Sequence, residues 1–136
     1  MCREEAQELS NLAASFEAKG VPMYAILHEQ LGHKEFAPFF TGDLFLDEEK
    51  RFYGPKERRT LIMGLLRFSV WQNGARVKSK GIEGNLKGDG SLLGGVYLIG
   101  PGSQGILYEH RELEFGDHFN SLQLLAALET LKINKE

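Results

Sequence analysis

The sequence predicts an α/β domain, and three observations carry that prediction. Helical and strand patterns alternate along the chain in the order α, β, α, β, α, followed by a β-hairpin and a last α segment. The apolar runs "GVYLIG" and "GILYEHRE" flank "PGSQ", the pattern of two antiparallel strands joined by a tight turn. At 136 residues, with 42% hydrophobic and 26% charged content, the chain is long enough to close one core, so one domain over 1–136 is expected.

In order, Ala6, Leu9, Leu12, Ala13 and Phe16 recur at helical steps and Gly20 follows as a stop, so 3–19 reads as an amphipathic helix. "VPMYAILHE" (21–29) reads as a strand buried on both faces. "KEFAPFF" (34–40) is one or two helical turns limited by Pro38, and "DLFLD" (43–47) is a second strand. The polar stretch "EEKRFYGPKERR", punctuated by Gly54 and Pro55, reads as a loop or a helix entry. From Arg59 to about Val77 the pattern fits a helix turning Leu61, Leu65, Phe68 and Trp71 toward a core, weakened by Gly64 and Gly74. The glycine-rich residues 81–95 predict irregular backbone. A final helix, "FNSLQLLAALETLK", follows the hairpin, with Asp117 as a candidate N-cap.

The net charge is −3, but the middle of the chain is basic: residues 50–87 hold 10 basic and 2 acidic groups. Phe52 and Tyr53 stand side by side there and are not spaced along a groove, so specific nucleic-acid binding is not expected. No apolar run approaches the roughly 18–20 residues of a membrane span, and no signal peptide is visible. "GPGSQG" (100–105) matches a dinucleotide fingerprint by letter, but a strand follows it where a helix is required, so it reads as a turn. "HEQLGH" places its histidines five apart and so on different helix faces, unlike a zinc-protease pair. Glu109, His110, Glu112, Glu114, Asp117 and His118 crowd one segment as a carboxylate–imidazole cluster; a polar strand-to-helix junction is the plainer reading, and neither a metal nor a cofactor is expected.

Cys2 is the only cysteine, which excludes an internal disulfide and any multi-cysteine zinc site. It stands at the start of the first predicted helix, where unpaired amides and the helix dipole stabilise a thiolate. Arg3 adds to that effect and Glu4 and Glu5 oppose it. The alternative is an exposed, idle thiol near a chain end.

A cysteine at a helix start, then α–β–α–β, hairpin and closing helix, resembles the latter part of a thioredoxin-like layout. "CREEAQELSNL", "GVPMYAILHE", "LFLDEEKRFYGPKERR", "GNLKGDGSLLGGVYLIG" and "GILYEHRELEFGDHFN" resemble the peroxiredoxin-like 2 family, A branch, which includes selenoprotein U, over essentially the whole chain. The resemblance implies a three-layer α/β/α fold with a mixed sheet, here missing its N-terminal strand. It further implies an antioxidant, redox-regulating activity centred on a Cys-x-x-Cys or selenocysteine variant, with Cys2 on its second cysteine and no counterpart for the first.

Where peroxiredoxins proper carry an arginine entering a later strand, this chain has Gly94. The expected function is that of a thiol antioxidant or redox regulator using Cys2, an oxidoreductase turned over by thioredoxin or glutathione. A mixed disulfide with a partner protein and a cytoplasmic location are also expected. Two alternatives stand beside it: a catalytically incomplete regulatory or binding module, and the prostaglandin endoperoxide reduction of the B branch.

Overall fold

The computed structural model describes residues 2–30, 32–59, 68–79, 91–114 and 116–132. Its elements are α1 (Cys2–Asn11), α2 (Ala13–Ala18), β1 (Tyr24–Leu27), α3 (His33–Phe36), β2 (Asp43–Leu46), α4 (Phe68–Ser79), β3 (Gly95–Ile99), β4 (Ile106–Arg111) and α5 (Ser121–Glu129), with short 3₁₀ turns at Ala37–Phe39 and Arg51–Tyr53. The α/β class expected from the sequence is what the chain adopts.

The first helix breaks at Leu12, where the ladder tightens to a Ser15 amide on the Leu12 carbonyl. Ser10 prepares the break. Its hydroxyl lies 2.8 Å from the carbonyl of Ala6, one turn back, and 3.1 Å from that of Phe39, and it accepts from the Thr41 amide at 2.8 Å. A serine bonded back into its own helix bends it, and here it also ties α1 to the turn before β2.

β1 and β2 pair in parallel, Tyr24 opposite Asp43 and Leu27 opposite Leu46. Gly42 makes that approach possible: at φ +153° a Cβ would lie 2.5 Å from the Met23 carbonyl oxygen. The double-sided burial expected of β1 is not found: among the described residues β2 is its one strand neighbour, and Tyr24 is 56% exposed.

β3 and β4 form the expected hairpin, Gly95 opposite Arg111, with a bulge between Leu98 and Ile99. Its tip closes through Gly100 N–H to the Gly105 carbonyl at 2.8 Å, with Gly105 in the left-handed region. "GPGSQG" is therefore the hairpin turn.

The core gathers Phe16, Leu98, Phe119, Leu124 and Leu128, with Leu9, Val21, Met23 and Val96 packed on it. Leu124 and Leu128 are 1% exposed, and each such side chain contributes roughly 1.5–3 kcal/mol by leaving water. α5 starts at Ser121 behind Asn120, whose side chain accepts from the Gln123 amide, so Asn120 and not Asp117 is the cap. Trp71 on α4 is 69% exposed and does not serve the core. Leu61, Leu65 and most of the glycine-rich 81–95 stretch lie outside the described residues.

Among the described residues the four strands make two pairs, with no ladder joining β1 to β3. Met23 and Leu27 accept through their carbonyls from Asp43 and Asp47 on the β2 side. By alternation, the backbone groups of Tyr24 and Ile26 face away from β2. There the Tyr53 hydroxyl donates to the Ile26 carbonyl at 3.0 Å. The Glu112 amide on the Gly94 carbonyl likewise sets Gly95, Tyr97 and Ile99 facing away from β4.

Candidate functional site

α1 is described from Cys2 onward, so position 2 lies in the first described turn of that helix. The charged residues of that turn are Arg3, Glu4 and Glu5. Arg3 places its guanidinium 5.6 Å from the Phe39 ring centroid, in a cation–π contact. Glu4 is 1% exposed, and a carboxylate so placed needs a partner. Arg76 of α4 supplies it, with Nε 3.1 Å and Nη2 3.3 Å from the two carboxylate oxygens, and also donates to the Gly116 carbonyl at 3.0 Å.

Glu5 is treated differently. It is largely buried, and its Oε1 is buried with no hydrogen-bond partner among the described residues. Burial, then the nearby Glu112 carboxylate and Asp117, raise its pKa to about 8, against a lowering from the Phe119 backbone. Glu112, at the end of the hairpin, is raised for the same leading reason, while the Gly94 amide donating to its Oε2 at 2.8 Å opposes the shift. The two acids expected to oppose a thiolate at Cys2 are therefore muted near neutral pH: Glu4 by an ion pair, Glu5 by its proton.

The hairpin end is locked in place by Arg58, which donates to the Glu112 carbonyl at 2.8 Å and the Gly94 carbonyl at 2.9 Å. Gly94 thus leaves its own position without an arginine, and one arrives from elsewhere and spends its donors on backbone. Neither Arg58 nor Arg76 was legible as a site residue; each lies in the basic block, far along the chain from its partners.

The acidic and imidazole residues crowded at 109–118 are divided by the alternation of β4, in keeping with a polar strand-to-helix junction. Glu109 pairs with Arg111 on one side. His110 lies 3.8 Å from Asp117, which caps the Leu113 and His118 amides. His118 reaches α1 instead, its Nε2 3.4 Å from Glu8 and its Nδ1 2.9 Å from the Phe119 carbonyl. Glu4, Glu8 and His118 bring ligand-type atoms within 4.8 Å of one another, but the Arg76 guanidinium already supplies the positive charge there, so the trio is an ion-pair junction. The basic block is similarly engaged: Arg51 pairs with Glu49, and Arg59 and Lys50 with Glu57. No helix among the described residues is long and apolar enough to cross a membrane.

A family model described as AhpC/TSA antioxidant enzyme matches residues 8–114, so Cys2 precedes the matched stretch. Peroxiredoxin-like 2A of Mus musculus is 48% identical over 135 residues, 98% of this chain and 62% of the mouse protein. Peroxiredoxin-like 2A of Homo sapiens is 48% identical over 134 residues, 97% of this chain and 58% of the human protein. That of Danio rerio is 44% identical over 137 residues, 99% and 65% respectively. The chain therefore spans about 60% of the length of these curated relatives. No solved structure matches it.

Proposed function

Because the chain belongs to the peroxiredoxin-like 2 family of AhpC/TSA-type proteins, we propose that it is a thiol-based antioxidant or redox regulator whose reactive sulfur is Cys2. The observation that supports this reading is electrostatic. Cys2 lies in the first described turn of α1, and the two acidic residues there, Glu4 and Glu5, carry little net negative charge near neutral pH. Helix amides then act on the thiolate with little opposition.

A thiolate so favoured takes an oxygen from a hydroperoxide to give a sulfenic acid, or attacks a disulfide to give a mixed disulfide. These 136 residues hold one cysteine, so a resolving thiol lies outside them, in another part of the protein or in another molecule. Glutathione, thioredoxin or a partner protein fits that need, in a reducing compartment such as the cytoplasm. The match to the antioxidant-enzyme model begins at residue 8, after Cys2, which favours as a second reading a regulatory module without chemistry of its own.

One experiment separates them: peroxide consumption with external thiol, and thiolate pKa, for the wild type and Cys2→Ser. Loss of turnover in the variant supports the thiol reading; equal rates leave only the regulatory module.

A further inference from the structure

We propose that His118 is a proton-operated clasp between α1 and the segment joining β4 to α5, closed on Glu8 while the imidazole is charged and released when it is neutral. This goes beyond the reading of Cys2 and stands whether or not that sulfur is reactive.

The ring is held in one orientation. It stacks on Phe119, a core residue, with ring centroids 4.9 Å apart and planes at 24°, and its Nδ1 lies 2.9 Å from the Phe119 carbonyl oxygen. A carbonyl only accepts, so Nδ1 carries a hydrogen, and in the neutral ring Nε2 is then a bare acceptor. That nitrogen is buried and has no hydrogen-bond partner among the described residues, and Oε2 of Glu8 stands 3.4 Å from it. Two acceptors shut away from water repel each other. A proton on Nε2 turns the same contact into an ion pair.

A tie that needs no such proton lies one turn earlier on α1. Arg76 of α4 joins Glu4, at 3.1 Å, to the Gly116 carbonyl, at 3.0 Å, so the segment stays pinned at 116 in either state of His118. Glu4 and Glu8 are the acids that α1 brings to the imidazole, their ligand-type atoms lying within 4.8 Å of it. On its own segment the charged neighbour is Asp117, which accepts from the Leu113 and His118 amides. Asp117 has His110 of β4 at 3.8 Å, again through a buried Nε2 without a hydrogen-bond partner among the described residues. Glu5 of α1 faces Glu112 and Asp117, with the Phe119 backbone as a donor and the amino terminus acting more weakly. Burial first and those acids next raise its pKa to about 8. The contacts of Glu5 and Glu8 with the segment are thus firmer with a proton bound. A group that binds its proton more tightly in the closed state stabilises that state in acid and ceases to as pH rises, so both loosen α1 in the same direction.

Amide exchange on the full chain, expressed as protection factors at pH 6 and pH 8 with the β3–β4 hairpin as internal reference, tests the clasp. In the wild type the protection of α1 relative to the hairpin should fall about fivefold or more between the two. Glu5→Gln removes the other proton and should leave a fall in place. Adding Glu8→Gln, whose amide can donate to the bare Nε2, should keep the clasp closed at both pH values and abolish the fall. Nitrogen-15 spectra of the His118 ring in the wild type need no variant: they should show hydrogen on Nδ1 alone at pH 8 and on both nitrogens at pH 6. Equal relative protection of α1 at the two pH values overturns the proposal. So does a fall in Glu5→Gln/Glu8→Gln as large as in Glu5→Gln, or a His118 ring with its hydrogen on Nε2 alone at pH 8.

Discussion

Replacing Glu5 by glutamine should flatten the dependence of folding stability on pH. In the unfolded chain Glu5 titrates at its ordinary 4.5, and in the folded chain at about 8. Between those values the native state binds a proton that the unfolded state lacks. Stability from this group is therefore fully present below pH 4.5 and is lost as pH rises, until the folded carboxyl has ionised. At 1.36 kcal/mol per pH unit the loss amounts to roughly 3–5 kcal/mol across the window, a large share of a typical 5–15 kcal/mol. Glutamine fills nearly the same volume and mimics the protonated acid, so the variant should match the wild type near pH 5 and exceed it at pH 8. Urea titrations at pH 5, 6.5 and 8 and fixed ionic strength read this directly. A residual slope of the same sign should remain from Glu112 and vanish in the Glu5→Gln/Glu112→Gln double variant. Wild-type stability that is constant or rises from pH 5 to 8, or a Glu5→Gln slope equal to the wild type's, would refute the reasoning.

Arg76→Ala should destabilise the chain by about 3 kcal/mol, because it leaves the Glu4 carboxylate buried without its ion pair; equilibrium denaturation measures it. Amide exchange should alternate along the strands: Ala25, Leu27, Val96 and Leu98 protected, Tyr24, Ile26, Gly95, Tyr97 and Ile99 fast. A further strand laid on those edges should slow the fast amides; uniform protection in a monomer with a cooperative melt would mean the two strand pairs already join. The basic block should bind nucleic acid without sequence preference and only at low salt, since Lys50, Arg51 and Arg59 are paired with Glu49 or Glu57; submicromolar binding to one sequence at physiological salt would contradict this.

Local chemistry was legible in the sequence and distant pairing was not. The hairpin followed from "PGSQ" between two apolar runs, and the first helix from its apolar periodicity. Asn120 and Asp117 are equally good caps by type; the choice was made by Asp117 turning its oxygens to Leu113 and His118. Trp71 looked inward because an apolar helix face carries no label saying which neighbour covers it. Glu4 and Glu5 looked unfavourable for a thiolate because the sequence shows their charge and hides what meets it. Arg76 lies 72 residues from Glu4, and the proton on Glu5 depends first on burial and then on Glu112 arriving from the far end of the hairpin.

The central claim is that the sulfur at the head of α1 is activated, and the pH–rate profile of Cys2 alkylation by iodoacetamide tests it most directly. Cys2→Ser serves as the blank and a cysteine peptide as the reference. The account predicts an inflection below the free-thiol value of about 8.5 and a rate at pH 7 above the peptide's. An inflection at or above that value, with peptide-like rates, would contradict it.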